Sequence, residues 1–253
     1  MKKIFIDAGH GGENPGASYK GRREADDVFR LSSAVAGLLK KQSGVEVRMS
    51  RTSDDDPEIS RRTADANAWG ADYFISIHRN ALAPEKASGA EVWCYSKIEK
   101  GGETYKKAES ILDALCGASG FANRGVHLGA PSYSDFGVNR LTKMHSCLLE
   151  VGFVDNSYDN ARFDSTLPAM AAAVAEALCG AVGVKYETSD TVRGDVNGDG
   201  KVTVEDARTA LRAAVGLEKL DEKQTAAADY DGDGEVTAAD ARAILRKATG
   251  LEE

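Results

Sequence analysis

Apolar and polar positions along the first part of the chain follow two periods, one typical of strands and the other of helices. Short runs rich in β-branched and aromatic residues predict strands at residues 3–8, 45–50, 73–78, 89–95 and 147–153. Apolar residues at helical spacing predict helices at residues 24–41, 59–70, 103–119 and 165–182. Because strands and helices alternate, the pattern predicts an α/β fold with a mainly parallel sheet flanked by helices.

The pattern changes after Val184, where a short polar stretch is followed by an internal repeat. Residues 195–217 align without a gap with residues 229–251, at a constant offset of 34 residues. Two copies are too few for a stacked repeat protein, which needs at least ~3. We therefore predict a large domain at residues 1–184, a linker at 185–193 and a small all-α module of two loop–helix repeats at 194–253.

Each repeat opens with a loop that places oxygen donors at positions 1, 3, 5, 9 and 12 and a glycine at position 6. The side-chain donors are Asp195, Asn197, Asp199, Thr203 and Asp206 in the first loop, and Asp229, Asp231, Asp233, Thr237 and Asp240 in the second. Lys201 and Glu235 occupy position 7, where only the main-chain carbonyl is needed. Hard oxygen ligands at this spacing are typical of calcium loops, so the sequence predicts two Ca²⁺ sites.

Composition and charge narrow the class of protein. The chain has 253 residues, of which 42% are hydrophobic and 28% charged, which favours a globular protein over a disordered one. The net charge is -8, so binding to nucleic acid is not expected. No apolar stretch approaches the ~18 residues of a membrane span. The first apolar run ends at Asp7, so this run is too short to be the hydrophobic core of a signal peptide.

The four cysteines predict no metal site or disulfide framework. Cys94, Cys116, Cys147 and Cys179 lie in apolar contexts, and none forms a CxxC pair. A domain of this size needs no disulfides. We expect all four cysteines to be small buried side chains.

Four polar residues in the large domain occupy positions that favour zinc chemistry. His10 follows the first predicted strand, Glu24 opens the first helix and His78 ends a buried strand. Glu150 lies inside an otherwise apolar strand, where an uncompensated carboxylate is costly. Two histidines and a carboxylate are the protein ligands of many catalytic zinc sites, and a further carboxylate can act as general acid or base.

The other two histidines are expected to be ordinary polar residues. His127 lies in a loop-like stretch, and His145 lies beside the start of a strand.

Several segments taken together resemble a known enzyme family. IDAGHGG, GRREADD, SRTSD, RRTADANAWGADYFISIHRNA and LLEVGFVDN closely resemble the zinc-dependent N-acetylmuramoyl-L-alanine amidases, in order and over roughly residues 2–182. The resemblance implies that His10, Glu24 and His78 hold one Zn²⁺ ion and that Glu150 is the catalytic carboxylate. It implies that Asn80 either supports the metal ligands or contacts substrate.

Two residues depart from the pattern of that family. Ala8 replaces the usual proline, and Arg79 replaces a small residue between His78 and Asn80. Arg79 either contacts an acidic stem peptide or points to solvent, and we favour solvent.

The repeat region resembles the type I dockerins, whose calcium-binding loop–helix segments dock onto cohesin domains of scaffold proteins. Unlike an ordinary EF-hand, the first loop has no predicted helix before it, and position 12 is aspartate rather than glutamate. Positions 10 and 11, which help dockerins to select a cohesin, are Val204–Glu205 and Ala238–Ala239. They differ between the repeats and do not identify a cohesin type.

The two resemblances imply an extracellular or cell-wall hydrolase. Its substrate would be peptidoglycan, cleaved between N-acetylmuramic acid and L-alanine by zinc-activated water, and its partner would be a cohesin. Two alternatives stay open: a zinc peptidase of related topology, and an inactive wall-binding module displayed by the dockerin.

Overall fold

The computed structural model describes residues 1–130, 136–187 and 192–251. The chain divides into two compact units, Met1–Tyr186 and Glu187–Glu253, which are described separately. Part of the predicted linker, residues 188–191, and the last two residues of the predicted module lie outside the described residues.

The first unit is built on a six-stranded sheet. Its strands are β1 (Lys2–Ala8), β4 (Val45–Met49), β5 (Tyr73–Asn80), β6 (Ala90–Cys94), β7 (Asn123–Leu128) and β8 (His145–Phe153), in the spatial order β4-β1-β5-β8-β6-β7. The first four strands of that order are parallel to one another, and β6 and β7 run in the opposite direction. The predicted fold class is therefore confirmed. A small hairpin of β2 (Ser18–Tyr19) and β3 (Arg22–Arg23) precedes the first helix.

Helices cover both faces of this sheet. The helices of the first unit are α1 (Glu24–Leu39), α2 (Ile59–Trp69), α3 (Glu103–Ser119), α4 (Gly137–Leu141) and α5 (Ser157–Ala181). Strand side chains alternate between faces, so Ile75 and Ile77 join the larger core with α1, α3 and α5. Phe74 joins the smaller core with α2 and α4. His78 lies two residues after Ser76 and four after Phe74, so it faces the same side of the sheet as Phe74. Helices α2 and α4 cover this side less completely than the other helices cover the opposite side.

The structure differs from the predicted elements in several places. Strand β7 was not predicted, because Gly125 interrupts a half-buried edge strand whose alternation is weak, and His127 lies on this strand rather than in a loop. Helix α5 begins at Ser157 rather than at residue 165, because the Asn156 side chain caps it by accepting from two backbone N–H groups. Pro168 lies inside this helix.

The described residues of the second unit form three helices: α6 (Val204–Ala214), α7 (Glu222–Ala228) and α8 (Ala238–Ala248). The sequence predicts the helices after the two loops at residues 207–216 and 241–250. Helices α6 and α8 begin about one turn earlier, since Thr203 and Thr237 are their N-caps. Helix α7 was not predicted. Small buried residues, chiefly alanines with Val196 and Ile244, form a thin core.

No helix among the described residues is long and apolar enough to cross a membrane. Cys94, Cys147 and Cys179 are buried, as expected, whereas Cys116 is half-buried, and all four are free thiols.

Candidate metal centre and calcium loops

Three predicted residues meet where strands β1 and β5 end and helix α1 begins. His10 lies in the turn after β1, Glu24 is the first residue of α1 and His78 lies near the end of β5. Glu24 Oε1 is 3.3 Å from His10 Nε2 and 2.9 Å from His78 Nδ1. One ligand atom from each residue lies within 4.8 Å of the others. The fold therefore brings together groups that are 14 and 54 residues apart in sequence.

Two glycines provide the space for this cluster. A Cβ atom on Gly9 would lie 2.3 Å from His78 Cε1, so the imidazole packs directly on the backbone of Gly9. A Cβ atom on Gly16 would lie 2.6 Å from both Glu24 Oε2 and His10 Cδ2. Any other residue at either position would displace a member of the cluster.

Two buried arginines that the sequence analysis did not identify hold the turn that carries His10. Arg62 donates to the carbonyls of Ala8 at 2.6 Å and His10 at 3.0 Å, and pairs with Asp7 at 2.8 Å. Arg51 donates to the carbonyls of Ala8 and Gly9 at 3.1 and 3.2 Å. The positive φ of His10, 56°, is thus stabilised by surrounding donors.

Helical periodicity could have indicated one of these arginines. Arg62 lies one turn before the buried Ala66 and so on the buried face of α2.

Glu150 lies on strand β8 beside this cluster. It is the register partner of His78 on β5 and of Glu91 on β6. Its Oε2 atom is buried and accepts no hydrogen bond from the described residues. A buried carboxylate oxygen without a protein donor is expensive unless another group uses it.

Burial and neighbouring charges shift the pKa values of this cluster in different directions. Burial raises the pKa of Glu150 to about 8, and the nearby Glu24 and Glu91 carboxylates act in the same direction. Burial lowers the pKa of His78, but the hydrogen bond with Glu24 outweighs this and brings it to about 9. Burial raises the pKa of Glu24, but His10 and His78 outweigh it and hold that pKa well below its usual range. The cluster therefore contains one carboxylate that stays ionised and one that titrates near neutral pH.

The cluster opens into a cleft of about 670 Å³. Its polar lining includes the three clustered residues and Glu150. Its apolar lining includes Pro57, Ile59, Phe136, Val138 and Leu148. A cleft lined largely by apolar side chains, with a few convergent polar groups, is the usual form of a small-molecule site.

The side chains of the neighbouring residues Asn80 and Arg79 lie on opposite faces of the sheet. Asn80 lines the cleft, and its Nδ2 donates to Glu91 Oε1 at 2.9 Å. The expectation that Arg79 points to solvent is wrong, because this residue is only 2% exposed and forms an ion pair with Asp27. Arg79 borders the cleft only through its main chain, because its side chain is fully buried on the other face of the sheet.

His127 and His145 lie apart from the cluster. His127 contacts the Trp93 ring with centroids 4.7 Å apart, and His145 Nδ1 lies 2.7 Å from Thr104 Oγ1.

The residues present fit a zinc ion. Two imidazoles and one carboxylate are the donor set of many catalytic zinc sites, which keep a further coordination position for water or substrate. The unpartnered Glu150 Oε2 faces the same region. The chemistry of the donors and the glycine cradle thus match the metal that the sequence predicts.

The structure brings some of the predicted calcium ligands close to one another in each loop of the second unit. Carboxylate oxygens of Asp229, Asp231 and Asp233 lie within 4.8 Å of one another. In the first loop, Asp195 is 3% exposed and Asn197 Nδ2 lies 3.3 Å from Asp199 Oδ2.

The residues at position 12 are the most buried of the loops. Asp206 is fully buried and Asp240 is 1% exposed. Asp206 accepts from the backbone N–H groups of Asn197 and Thr203 at 3.0 and 2.8 Å. Asp240 accepts from the backbone N–H groups of Tyr230 and Thr237, at 2.8 Å each. Burial opposes ionisation of Asp206 and Asp240, but the donors to each carboxylate outweigh it and lower its pKa. Both carboxylates are therefore preorganised in the anionic form that Ca²⁺ requires.

A mainly parallel sheet with two histidines and two glutamates converging at the carboxyl ends of its strands is typical of metal-dependent hydrolases. Comparison with known proteins gives the family. The sequence model of the protein family described as N-acetylmuramoyl-L-alanine amidase matches residues 4–182. The family model described as the dockerin type I domain matches residues 193–247. The chain belongs to the N-acetylmuramoyl-L-alanine amidase family and carries a C-terminal type I dockerin domain, which confirms both predicted resemblances.

Individual relatives agree with this assignment. The chain is 38% identical over 169 residues to N-acetylmuramoyl-L-alanine amidase CwlM of Bacillus licheniformis, covering 66% of this chain and 62% of that protein. It is 32% identical over 189 residues to an endolysin of Bacillus phage SPP1, covering 74% of this chain and 68% of that protein. A sporulation-specific amidase of Bacillus subtilis is 36% identical over 63% of this chain, and the match spans 59% of that protein. The chain thus spans about three-fifths of CwlM and of the sporulation amidase.

Solved structures match the fold of the first unit. The catalytic domain of the amidase CwlV from Bacillus (Paenibacillus) polymyxa superimposes with a TM-score of 0.66 at 28% identity, covering 73% of this chain and all of that domain. An N-acetylmuramoyl-L-alanine amidase from Clostridium difficile 630 gives a TM-score of 0.65 at 27% identity, covering 71% of this chain and 95% of that structure.

Proposed function

We propose that this protein is a zinc-dependent N-acetylmuramoyl-L-alanine amidase that acts on peptidoglycan outside the cell. The observation that carries the proposal is the convergence of His10, Glu24 and His78 within 4.8 Å, beside a buried carboxylate, in a chain of the amidase family. In this proposal residues 1–184 are the catalytic domain, residues 185–193 the linker and residues 194–253 the dockerin.

His10, Glu24 and His78 would hold the zinc ion, which supplies Lewis-acid polarisation of the amide carbonyl and of water when bound. Glu24 is suited to this role because its carboxylate stays ionised although the residue is only 4% exposed. His10 Nε2 and His78 Nδ1 face Glu24, and the Asn14 side chain 3.1 Å from His10 Nδ1 orients that ring.

Glu150 is the proposed general base and acid. It takes a proton from the attacking water and returns it to the leaving nitrogen of L-alanine. Glu150 is suited to this role because its Oε2 atom is buried and accepts no hydrogen bond from the described residues. Asn80, held by Glu91, offers its side chain to the substrate at the mouth of the cleft. The apolar lining residues of the cleft would contact the lactyl and alanyl methyl groups.

The dockerin would bind two Ca²⁺ ions and join the enzyme to a cohesin domain. Position 7 would contribute the main-chain carbonyls of Lys201 and Glu235, and the remaining ligands would be the side-chain donors of each loop. Two Ca²⁺ ions would bring the net charge of residues 194–253 from -6 to -2.

The test is digestion of purified cell walls, with newly exposed L-alanine amino groups and newly exposed reducing sugars measured separately. Wild type should release L-alanine amino groups only. Glu150→Gln should retain the fold and bound zinc and lose at least ~100-fold in rate. Glu13→Gln, the same chemical change at an exposed position near the His10 turn, should retain full activity.

Each alternative gives a different result. New amino groups of other residues indicate a peptidase. Zinc-loaded protein that binds walls but exposes no new end group indicates an inactive binding module.

A further inference from the structure

Arg79 lies between His78 and Asn80 on strand β5, yet its side chain enters the opposite side of the sheet. There it is 2% exposed and contacts the Phe163 ring, 4.6 Å from the ring centroid. A buried guanidinium needs partners for its charge, and a misplaced one is costly. The position of each partner is therefore coupled to the position of Arg79.

The first partner connects Arg79 to the helix that carries Glu24. Arg79 Nη1 donates to Asp27, which lies one turn after Glu24 in α1 and is 2% exposed. Arg22 also donates to Asp27, at 2.6 and 2.9 Å, and Arg30 Nη1 lies 3.7 Å from Asp27 Oδ1. This carboxylate is therefore shared by three cations and cannot rotate freely. The backbone N–H of Arg79 donates directly to Glu24 Oε1 at 3.0 Å.

The second set of partners connects Arg79 to the strand that carries Glu150. Arg79 Nη2 donates to the carbonyl of Phe153, the last residue of β8, at 3.1 Å. The same atom donates at 2.7 Å to Asn160 Oδ1, and Asn160 donates in turn to the carbonyl of Val154 at 2.8 Å. One guanidinium therefore contacts the segments that carry Glu24, His78 and Glu150.

We propose that Arg79 is a positioning residue, which sets the spacing of Glu24 and His78 through its ion pair with Asp27 and so determines the affinity of the site for Zn²⁺. This inference rests on the proposed zinc function. Arg79 touches neither metal nor substrate, since its side chain lies on the other face of the sheet from the cleft.

The test compares zinc affinity with thermal stability. Affinity is measured by competition with a chromogenic chelator, on full-length protein shown by circular dichroism to be folded. Arg79→Met, which keeps an unbranched chain without the charge, should weaken Zn²⁺ binding at least ~10-fold. Asp27→Asn, which preserves shape, should weaken it in the same direction, and Arg79→Lys should lie between Arg79→Met and wild type.

A matched control separates positioning from general stability. Leu39 is fully buried at the far end of the same helix, ~22 Å from Glu24 by helical rise. Leu39→Ala should lower the melting temperature at least as much as Arg79→Met and change zinc affinity by less than ~2-fold.

The outcomes distinguish this inference from the proposed function. Wild-type protein that binds no Zn²⁺ overturns the proposed function. Wild type that binds Zn²⁺, with folded Asp27→Asn or Arg79→Met equal to it, overturns the positioning role alone. Equal losses of affinity in Leu39→Ala and Arg79→Met overturn it as well. If Arg79→Met does not fold, Asp27→Asn and Arg79→Lys decide the question.

Discussion

Gly9→Ala tests whether close packing on the backbone holds His78 in place. The φ angle of Gly9 is not in the left-handed region, so the backbone accepts alanine and only the added methyl group matters. That methyl carbon would lie 2.3 Å from His78 Cε1 and 2.5 Å from Nε2. Carbon atoms in contact lie at least ~3.5 Å apart, so the ring must move by about 1 Å or more.

Movement of the backbone cannot absorb this clash. The Gly9 N–H donates to the Ile77 carbonyl at 3.1 Å, and the Gly9 carbonyl accepts from Arg51 at 3.2 Å. Metal–ligand distances tolerate only ~0.2 Å, so a shift of about 1 Å removes His78 from the ligand set. We expect Zn²⁺ affinity to fall at least ~100-fold and metal-free stability to fall by ~1–3 kcal/mol from overpacking.

Competition with a chelator on the folded variant measures the affinity, and thermal unfolding in chelator measures the stability. Gly37→Ala is the matched control, because a Cβ atom there meets nothing within 4 Å and the residue lies inside helix α1. This control should gain ~0.5–1 kcal/mol of stability and bind zinc as wild type does. A Gly9→Ala variant that binds Zn²⁺ within ~3-fold of wild type would refute the packing argument.

Three further predictions concern metals and pH. Hydrolysis of walls should stop when zinc is chelated and return with added Zn²⁺, and full activity in zinc-free protein would contradict the assignment. In metal-free protein, burial raises the pKa of Glu150 from 4.5 to about 8, so its contribution to stability is present below pH 4.5 and lost as pH rises through 8. The free energy of unfolding of wild type relative to Glu150→Gln, measured by denaturant titration, should therefore decrease across that window, and a constant difference would contradict it. Ca²⁺ should stabilise residues 194–253, by ~2.7 kcal/mol at 100 times its Kd, and increase helical circular dichroism. Asp199→Ala with Asp233→Ala should abolish this effect and cohesin capture while leaving hydrolysis of soluble wall fragments nearly unchanged, and a calcium response in the double variant would argue against these loops.

Local features of the sequence determined much of the organisation of this protein. Alternation and helical spacing are properties of neighbouring residues, so most strands and helices of the first unit were predictable without tertiary contacts. The calcium loops were predictable for the same reason, since their donors lie within one short segment. His10, Glu24 and His78 were recognisable because each follows, opens or ends a predicted regular element.

Weak local signals account for the missed elements. Strand β7 is half-buried and interrupted by Gly125, and it exists because β6 pairs with it. Helix α7 has seven residues and buries only alanines, so its sequence carries no apolar stripe.

Only the tertiary structure decided the environments of the charged residues. Arg79 was expected in solvent, yet Asp27, 52 residues away in sequence, makes its burial favourable. Arg51 and Arg62 hold the His10 turn, and Glu91 faces Glu150, through contacts that depend on strand order and register. The physical reason is that the free energy of a buried charge is set by the partners that the fold supplies, and those partners lie far away along the chain.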